Sequence, residues 1–158
     1  MLRHVDPADT AVLIDIATAT GLFVQAEAVS LFAGVLEALH TGALGEGHTA
    51  IAWAPHPADK PAGWCYFAPD DHAVGVWNLW WIGVDPSAQG TGGGDALLDA
   101  VETAARAGGG RLLIIETSAT SPFARARAFY TRRRYQQCGC VPSFYGPDDN
   151  KLIFYKVL

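Results

Sequence analysis

The sequence predicts one mixed α/β domain, a sheet covered by helices, and two observations carry that prediction. The first is length and composition: 158 residues, 50% of them apolar and 17% charged, suffice for one sizeable core and are too few for two ordinary domains. The second is the order of hydrophobic periods along the chain. It switches between helix and strand spacing to give strand, two helices, three strands, helix, strand, helix and two strands. Residues 1–158 are therefore read as a single domain, without repeats or linkers.

Leu2 to Val5 alternates and reads as a short first strand. Asp6 or Asp9 can cap a helix carrying Val12, Leu13, Ile16 and Ala17 at helical spacing, and Gly21 stops it. A second helix spans about residues 25–40, where Ala28, Leu31, Phe32, Val35, Leu36 and Leu39 recur at three- and four-residue steps. Short β-branched and aromatic runs follow. Two antiparallel strands at about 48–54 and 62–68 flank the turn residues 55–61, and a longer strand at about 74–84 ends at Asp85-Pro86. Ala96, Leu97, Val101, Ala104 and Ala105 then mark an amphipathic helix ending at Gly108-Gly109-Gly110.

Leu112 to Ile115 is an unbroken apolar run, expected to be a central strand covered on both faces. Ser121 is placed as an N-cap with Pro122 at the first helical position, opening a helix with Phe123, Ala126, Phe129 and Tyr130. Two final strands, about 135–145 and 151–157, flank the turn Gly146 to Asn150.

Charge narrows the partners. A formal net charge of −5 and a pI near 5.4 leave no basic excess for nucleic acid, and Arg132, Arg133 and Arg134 are the one local exception. That cluster reads as a solvated helix end favoured by the helix dipole, ahead of a phosphate contact. The N-terminus lacks a signal-peptide core and no apolar run approaches the roughly 18 residues that span a bilayer, so a soluble cytoplasmic protein without a membrane partner is expected. Cys65, Cys138 and Cys140 are expected as buried or half-buried thiols. The five histidines show no ligand spacing, so no metal is expected. Exposed edges and aromatic strands leave room for a homodimer.

The informative stretch lies between the 74–84 strand and the helix after it: Trp80-Trp81-Ile82-Gly83-Val84-Asp85-Pro86-Ser87-Ala88-Gln89-Gly90-Thr91-Gly92-Gly93-Gly94. A strand ending in small residues that feed a helix N-terminus offers free backbone N–H groups and the positive end of a dipole, a combination suited to pyrophosphate. A Walker loop would need Lys and Ser or Thr after the last glycine, where this chain has Asp95-Ala96. The dinucleotide fingerprint starts at Gly90 and Gly92 but fails at Asp95.

The pattern Gln-x-x-Gly-x-Gly at Gln89, Gly92 and Gly94, preceded by Val84-Asp85-Pro86 and followed by Ala96-Leu97-Leu98, resembles motif A of the GNAT superfamily of acyl-CoA-dependent N-acetyltransferases. Downstream, Ala126-x-x-Phe129-Tyr130-x-x-x-x-Tyr135 resembles that family's A-x-x-F-Y-x-x-x-G-F signature. Arg134 replaces its glycine, Tyr135 replaces its phenylalanine, and Phe123 stands where many members carry an asparagine touching the cofactor. The resemblance implies a mostly antiparallel sheet of about six or seven strands with about four helices and a splayed strand pair at the cofactor site. It further implies acetyl-CoA as co-substrate and an amine of a small molecule or peptide as acceptor. Ile82, Gly83 and Val84 would line the pantetheine, and Gln89, Gly90, Thr91, Gly92, Gly93 and Gly94 would hold the diphosphate.

Amine acetylation needs a neutral amine, donors for the oxyanion, and a proton for the departing thiolate. Tyr130 corresponds to the family's tyrosine near the thioester sulfur and is the candidate for the last role; otherwise it is one half of a core aromatic pair with Phe129. Backbone N–H groups of residues 80–84 are the expected oxyanion donors. The carboxylate that some members carry on this strand has no counterpart here. Glu116 is the substitute base, against a solvated strand-end role or a water chain that needs no base. Trp77, Trp80 and Trp81 could build an apolar wall for the acceptor but are expected mainly in the core, with Trp80 and Trp81 on opposite faces. The acidic residues Glu27, Glu37, Asp70, Asp71, Asp148 and Asp149 could attract a cationic amine but are each expected as ordinary solvated surface. A rival reading keeps the fold as a CoA-binding sensor with little turnover.

Overall fold

A computed structural model describes residues 1–158. Its strands are β1 (Leu2–His4), β2 (Thr49–Trp53), β3 (Gly63–Pro69), β4 (Val76–Val84), β5 (Leu112–Ser118), β6 (Gln136–Gly146) and β7 (Asp149–Val157). The helices are α1 (Thr10–Ala19), α2 (Gln25–His40), α3 (Gly93–Ala107) and α4 (Ala124–Arg132). The seven strands form one sheet in the order β1-β2-β3-β4-β5-β7-β6, antiparallel throughout except for the β4–β5 pair. That exception follows from α3, which carries the chain back across the sheet as a crossover connection must. No helix is long and apolar enough to cross a membrane.

Two cores lie on opposite faces of the sheet. Leu97, Leu98, Val101 and Ala105 of α3 pack with Cys65 and Phe67 of β3, whereas α1 and α2 cover Trp64 and Tyr66 of the same strand. Strand alternation makes this division possible, because successive residues of β3 serve different layers. Full burial of a Leu, Ile or Phe side chain contributes roughly 1.5–3 kcal/mol, so each layer is held mainly by its apolar contacts. Trp64 adds a polar tie, its Nε1 donating to the Leu13 carbonyl at 2.9 Å and fixing α1 to the sheet.

The centre of the sheet does not alternate without interruption. Tyr66 pairs with Trp81 and Phe67 with Leu79, leaving Trp80 as the extra residue of a β-bulge in β4. Trp77 and Leu79 consequently face the α3 layer, while Trp81 faces α1 and α2. Trp80 joins neither core and is 55% exposed, which departs from the expectation of a buried tryptophan run.

Other expectations also need correction. Leu113 and Ile115 of β5 are buried, but Leu112 and Ile114 on the other face are only half-buried, because α1 and α2 cover the β1–β4 side of the sheet. Ser121 does not cap a helix. It opens a 3-10 turn, Ser121–Phe123, that precedes α4. Cys65 is buried as expected, whereas Cys138 and Cys140 are exposed, since β6 is an edge strand with almost no cover on either face. A register shift between Gln137 and Gly139 puts Cys138 in a second bulge.

Candidate active site

β4 pairs with β5 only over Val76–Leu79 against Leu112–Ile115. Beyond that, β3 follows β4 as far as Val84, and β7 follows β5 as far as Ser118. The two middle strands therefore part, and the backbone groups of residues 80–84 on the β5 side have no ladder partner. This is the expected splay.

On one side of the parting lies a cavity of about 460 Å³, lined by Ile82, Gly83 and Val84, by the turn from Ala88 to Asp95, and by α4. Asp85 caps the short turn Pro86–Ala88 through its own carboxylate, and Gln89 Nε2 donates to the Val84 carbonyl at 3.0 Å. These bonds hold the turn against the end of β4. Gly90 (φ 81°) and Gly92 (φ 92°) are left-handed, and a side chain built at either would meet nothing within 4 Å. Gly92 is the N-cap of α3 without a side-chain cap, so the first N–H groups of that helix are left for a ligand.

The glycines are not equivalent. A Cβ at Gly93 would meet the Trp53 ring at 2.7 Å, and one at Gly83 would meet the Trp81 ring at 2.3 Å. Gly93 is thus demanded by the core beneath the turn. Gly83 is demanded by an indole lying over it. Neither Gly93 nor Thr91 lines the cavity; Thr91 Oγ1 donates back to the Ala88 carbonyl at 2.6 Å.

Arg125 and Arg132 are the cavity's cationic side chains. They stand seven residues apart, which puts them on one face of α4 with Phe129 between, a helical spacing already present in the letters. Arg133 and Arg134 are placed otherwise, and the solvated-end expectation fails for Arg133. It bonds Asp95 at 3.1 Å and Asp99, pinning the end of α4 to the start of α3. Arg134 takes φ 65°, the conformation that the glycine of the family signature would adopt at least cost.

On the other side lies a larger cavity of about 940 Å³, between α2, the bulged part of β4, the end of β5 and the β6–β7 hairpin. The two cavities share Leu22, Ile82, Ala126 and Tyr130. Tyr130 is buried among Tyr135, Phe129 and Phe154, with ring centroids about 6 Å apart. Burial pushes its phenol above the ordinary tyrosine range, so it carries its proton at neutral pH. Glu116 faces the larger cavity and accepts a hydrogen bond from Lys151 Nζ at 2.7 Å. Phe123 lines this cavity and not the one beside the glycine turn.

The α2 wall, Leu22 and Arg125 escaped sequence reasoning. So did Arg127, which donates to the Ser118 and Thr120 carbonyls at 2.7 and 2.8 Å and so ties α4 to the end of β5.

A sheet parted at its centre, with a glycine turn at one mouth of the cleft and an apolar chamber at the other, defines the class: an α/β domain whose two cavities meet through the parted sheet. Residues 27–135 match the model of the Acetyltransferase (GNAT) family, and the chain belongs to that family. A GNAT-family protein from Desulfovibrio desulfuricans is 32% identical, with a TM-score of 0.89 and coverage of 99% of this chain and 98% of that one. An aminoglycoside 6′-N-acetyltransferase complexed with coenzyme A is 16% identical, with a TM-score of 0.74 over 99% of this chain and 96% of its own. A ribosomal-protein-alanine N-acetyltransferase from Brucella melitensis is 19% identical, with a TM-score of 0.74 over 100% and 99%. The latter two likenesses carry the fold alone. No curated protein matches the chain.

Proposed function

We propose that this chain is an N-acetyltransferase that moves the acetyl group of acetyl-CoA to a primary amine by direct attack, without a covalent enzyme intermediate. The observation that carries the reading is the meeting of the two cavities at Tyr130 and Ile82. Open left-handed glycines, an uncapped helix start and two arginines suit the diphosphate end of coenzyme A, and the apolar side chains of Ile82 and Ala126, shared by the two cavities, suit its pantetheine. A structure of the same fold with coenzyme A bound supports the choice.

The co-substrate supplies an activated carbonyl: the amine nitrogen bonds to the thioester carbon, the carbon–sulfur bond breaks, the amine loses a proton and the thiolate gains one. Unpaired N–H groups of residues 80–84 are the donors available to the carbonyl oxygen. Tyr130 holds a proton at the junction. A simple thiol, with a pKa of about 8.5, is a stronger acid than a phenol at about 10, so complete transfer from Tyr130 to the thiolate is uphill. Hydrogen-bond donation is the role that fits. Glu116 is the side-chain acceptor for the amine's proton, held in place by Lys151.

Calorimetry with acetyl-CoA, coenzyme A and NAD(P) tests the cofactor assignment, with binding expected for the two coenzyme A species alone. If neither binds, the reading fails. Thiol release over a panel of amines then divides a transferase from a sensor, since a sensor would bind coenzyme A and release no thiol.

A further inference from the structure

We propose that the acceptor is a small aromatic monoamine: one primary amine on a short carbon chain attached to a ring system that sits between Trp80 and Tyr145. This rests on the N-acetyltransferase reading, because it assigns the larger cavity to the acceptor.

The walls of that cavity point to an apolar body. Sixteen of its 22 lining residues are hydrophobic. Trp80 from β4 and Tyr145 from β6 reach it from opposite sides of the parting, 55% and 49% exposed, and leaving two large rings in water is unfavourable unless something covers them. The bulge takes Trp80 out of the sheet's alternation, and Tyr145 packs edge-to-face on Phe144, whose ring lies under the Lys151 ammonium at 3.6 Å.

The polar groups of the cavity argue against the two other common shapes of amine. A polycation needs a free carboxylate for each ammonium: Glu116 is ion-paired with Lys151 at 2.7 Å, which leaves only Asp149, bonded to the Ser118 hydroxyl at 2.6 Å, and Glu27, bonded to the Val24 N–H at the start of α2, with charge to offer. An aminosugar needs partners for many hydroxyls. Ser118 is already bonded to Asp149 and Thr120, which leaves Ser30, Thr117 and the Tyr145 phenol as uncharged side-chain partners, fewer than the hydroxyls of an aminosugar require. What remains is room for one amine at the Tyr130 end and a ring system in the body of the cavity.

The test compares tryptamine, n-propylamine, spermidine, kanamycin and a short peptide with an N-terminal tryptophan. Each is titrated by calorimetry into protein saturated with coenzyme A and, separately, assayed for thiol release from acetyl-CoA. Tryptamine is expected to exceed n-propylamine, spermidine and kanamycin about tenfold or more in kcat/KM and in affinity, and to exceed the peptide. Trp80→Ala and Tyr145→Ala should each bring the tryptamine-to-propylamine ratio down towards one. Equal values for tryptamine and propylamine, or a preference for spermidine, kanamycin or the peptide, would overturn the proposal and leave N-acetyl transfer standing. Selective tryptamine binding without thiol release would uphold the aromatic site and remove the transferase reading. No binding by any amine would overturn the proposal by itself.

Discussion

The two cavities that meet at Tyr130 are made of different material. The smaller takes most of its lining from residues between Ile82 and Asp95 and from one face of α4, and Gly83, Gly90, Gly92 and Gly94 among them present only backbone. The larger gathers side chains from α2, β3, β4, β5, the start of α4 and the β6–β7 hairpin. A site made of backbone at a turn is confined to residues that permit that turn, and so repeats across a family. A site made of side chains from distant segments is free to change wherever the fold does not need the residue. Under the proposed function, cofactor and acceptor choice can therefore evolve at different rates within one small domain.

Substitutions can break this division where it is sharpest. Gly92→Val should have the largest effect, because a branched residue at φ 92° is strained by about 1–3 kcal/mol and its side chain would fill the open approach to α3. Coenzyme A affinity is expected to fall about 100-fold by calorimetry. Next is the junction, where Tyr130→Phe should lower kcat by about 10- to 100-fold with near-native thermal stability.

The same phenol sets a pH expectation. Burial raises its pKa, so the stability of the neutral buried form is fully present below about pH 10 and is lost above it as the phenol is driven to ionise. Wild-type kcat should keep rising to about pH 10 as the acceptor amine deprotonates. A decline well below pH 10 that disappears in Tyr130→Phe would uphold the donor role and contradict the upward shift of its pKa.

Smaller effects sharpen the boundary between the cavities. Gly83 lines one and Trp81 the other, with the indole lying over the glycine. Gly83→Ala should cost about 1–2 kcal/mol in denaturant unfolding, and Trp81→Phe in the same chain should recover part of that. Arg134→Gly, outside both cavities, should raise stability by about 0.5–1 kcal/mol by relieving a left-handed non-glycine residue. Any change in coenzyme A affinity there would show that the turn after α4 also acts on the cofactor site.

Legibility in the sequence followed the same division. Element order, the glycine turn and the Phe129-Tyr130 pair could be read because each is a local pattern, and α2 was read to its ends, Gln25 and His40. Trp80 could not be placed. Its exposure depends on a bulge defined against β3, and no period within β4 records it. Arg133 was misread for a similar reason, since its partners Asp95 and Asp99 lie on another helix. The roles of individual glycines were equally hidden: Gly92 and Gly93 are neighbours of the same type, and only the Trp53 ring under one of them tells them apart.

The bulge also makes position 80 supernumerary in the sheet. β3 sets the consecutive residues Tyr66 and Phe67 against Trp81 and Leu79, so the ladder runs as though residue 80 were not there. Whatever side chain stands at 80, Leu79 still faces one helix layer and Trp81 the other. On the proposed reading of the larger cavity, the demands of folding and of ligand choice fall on different residues of a single strand, and a lineage could change its acceptor at position 80 without disturbing either core.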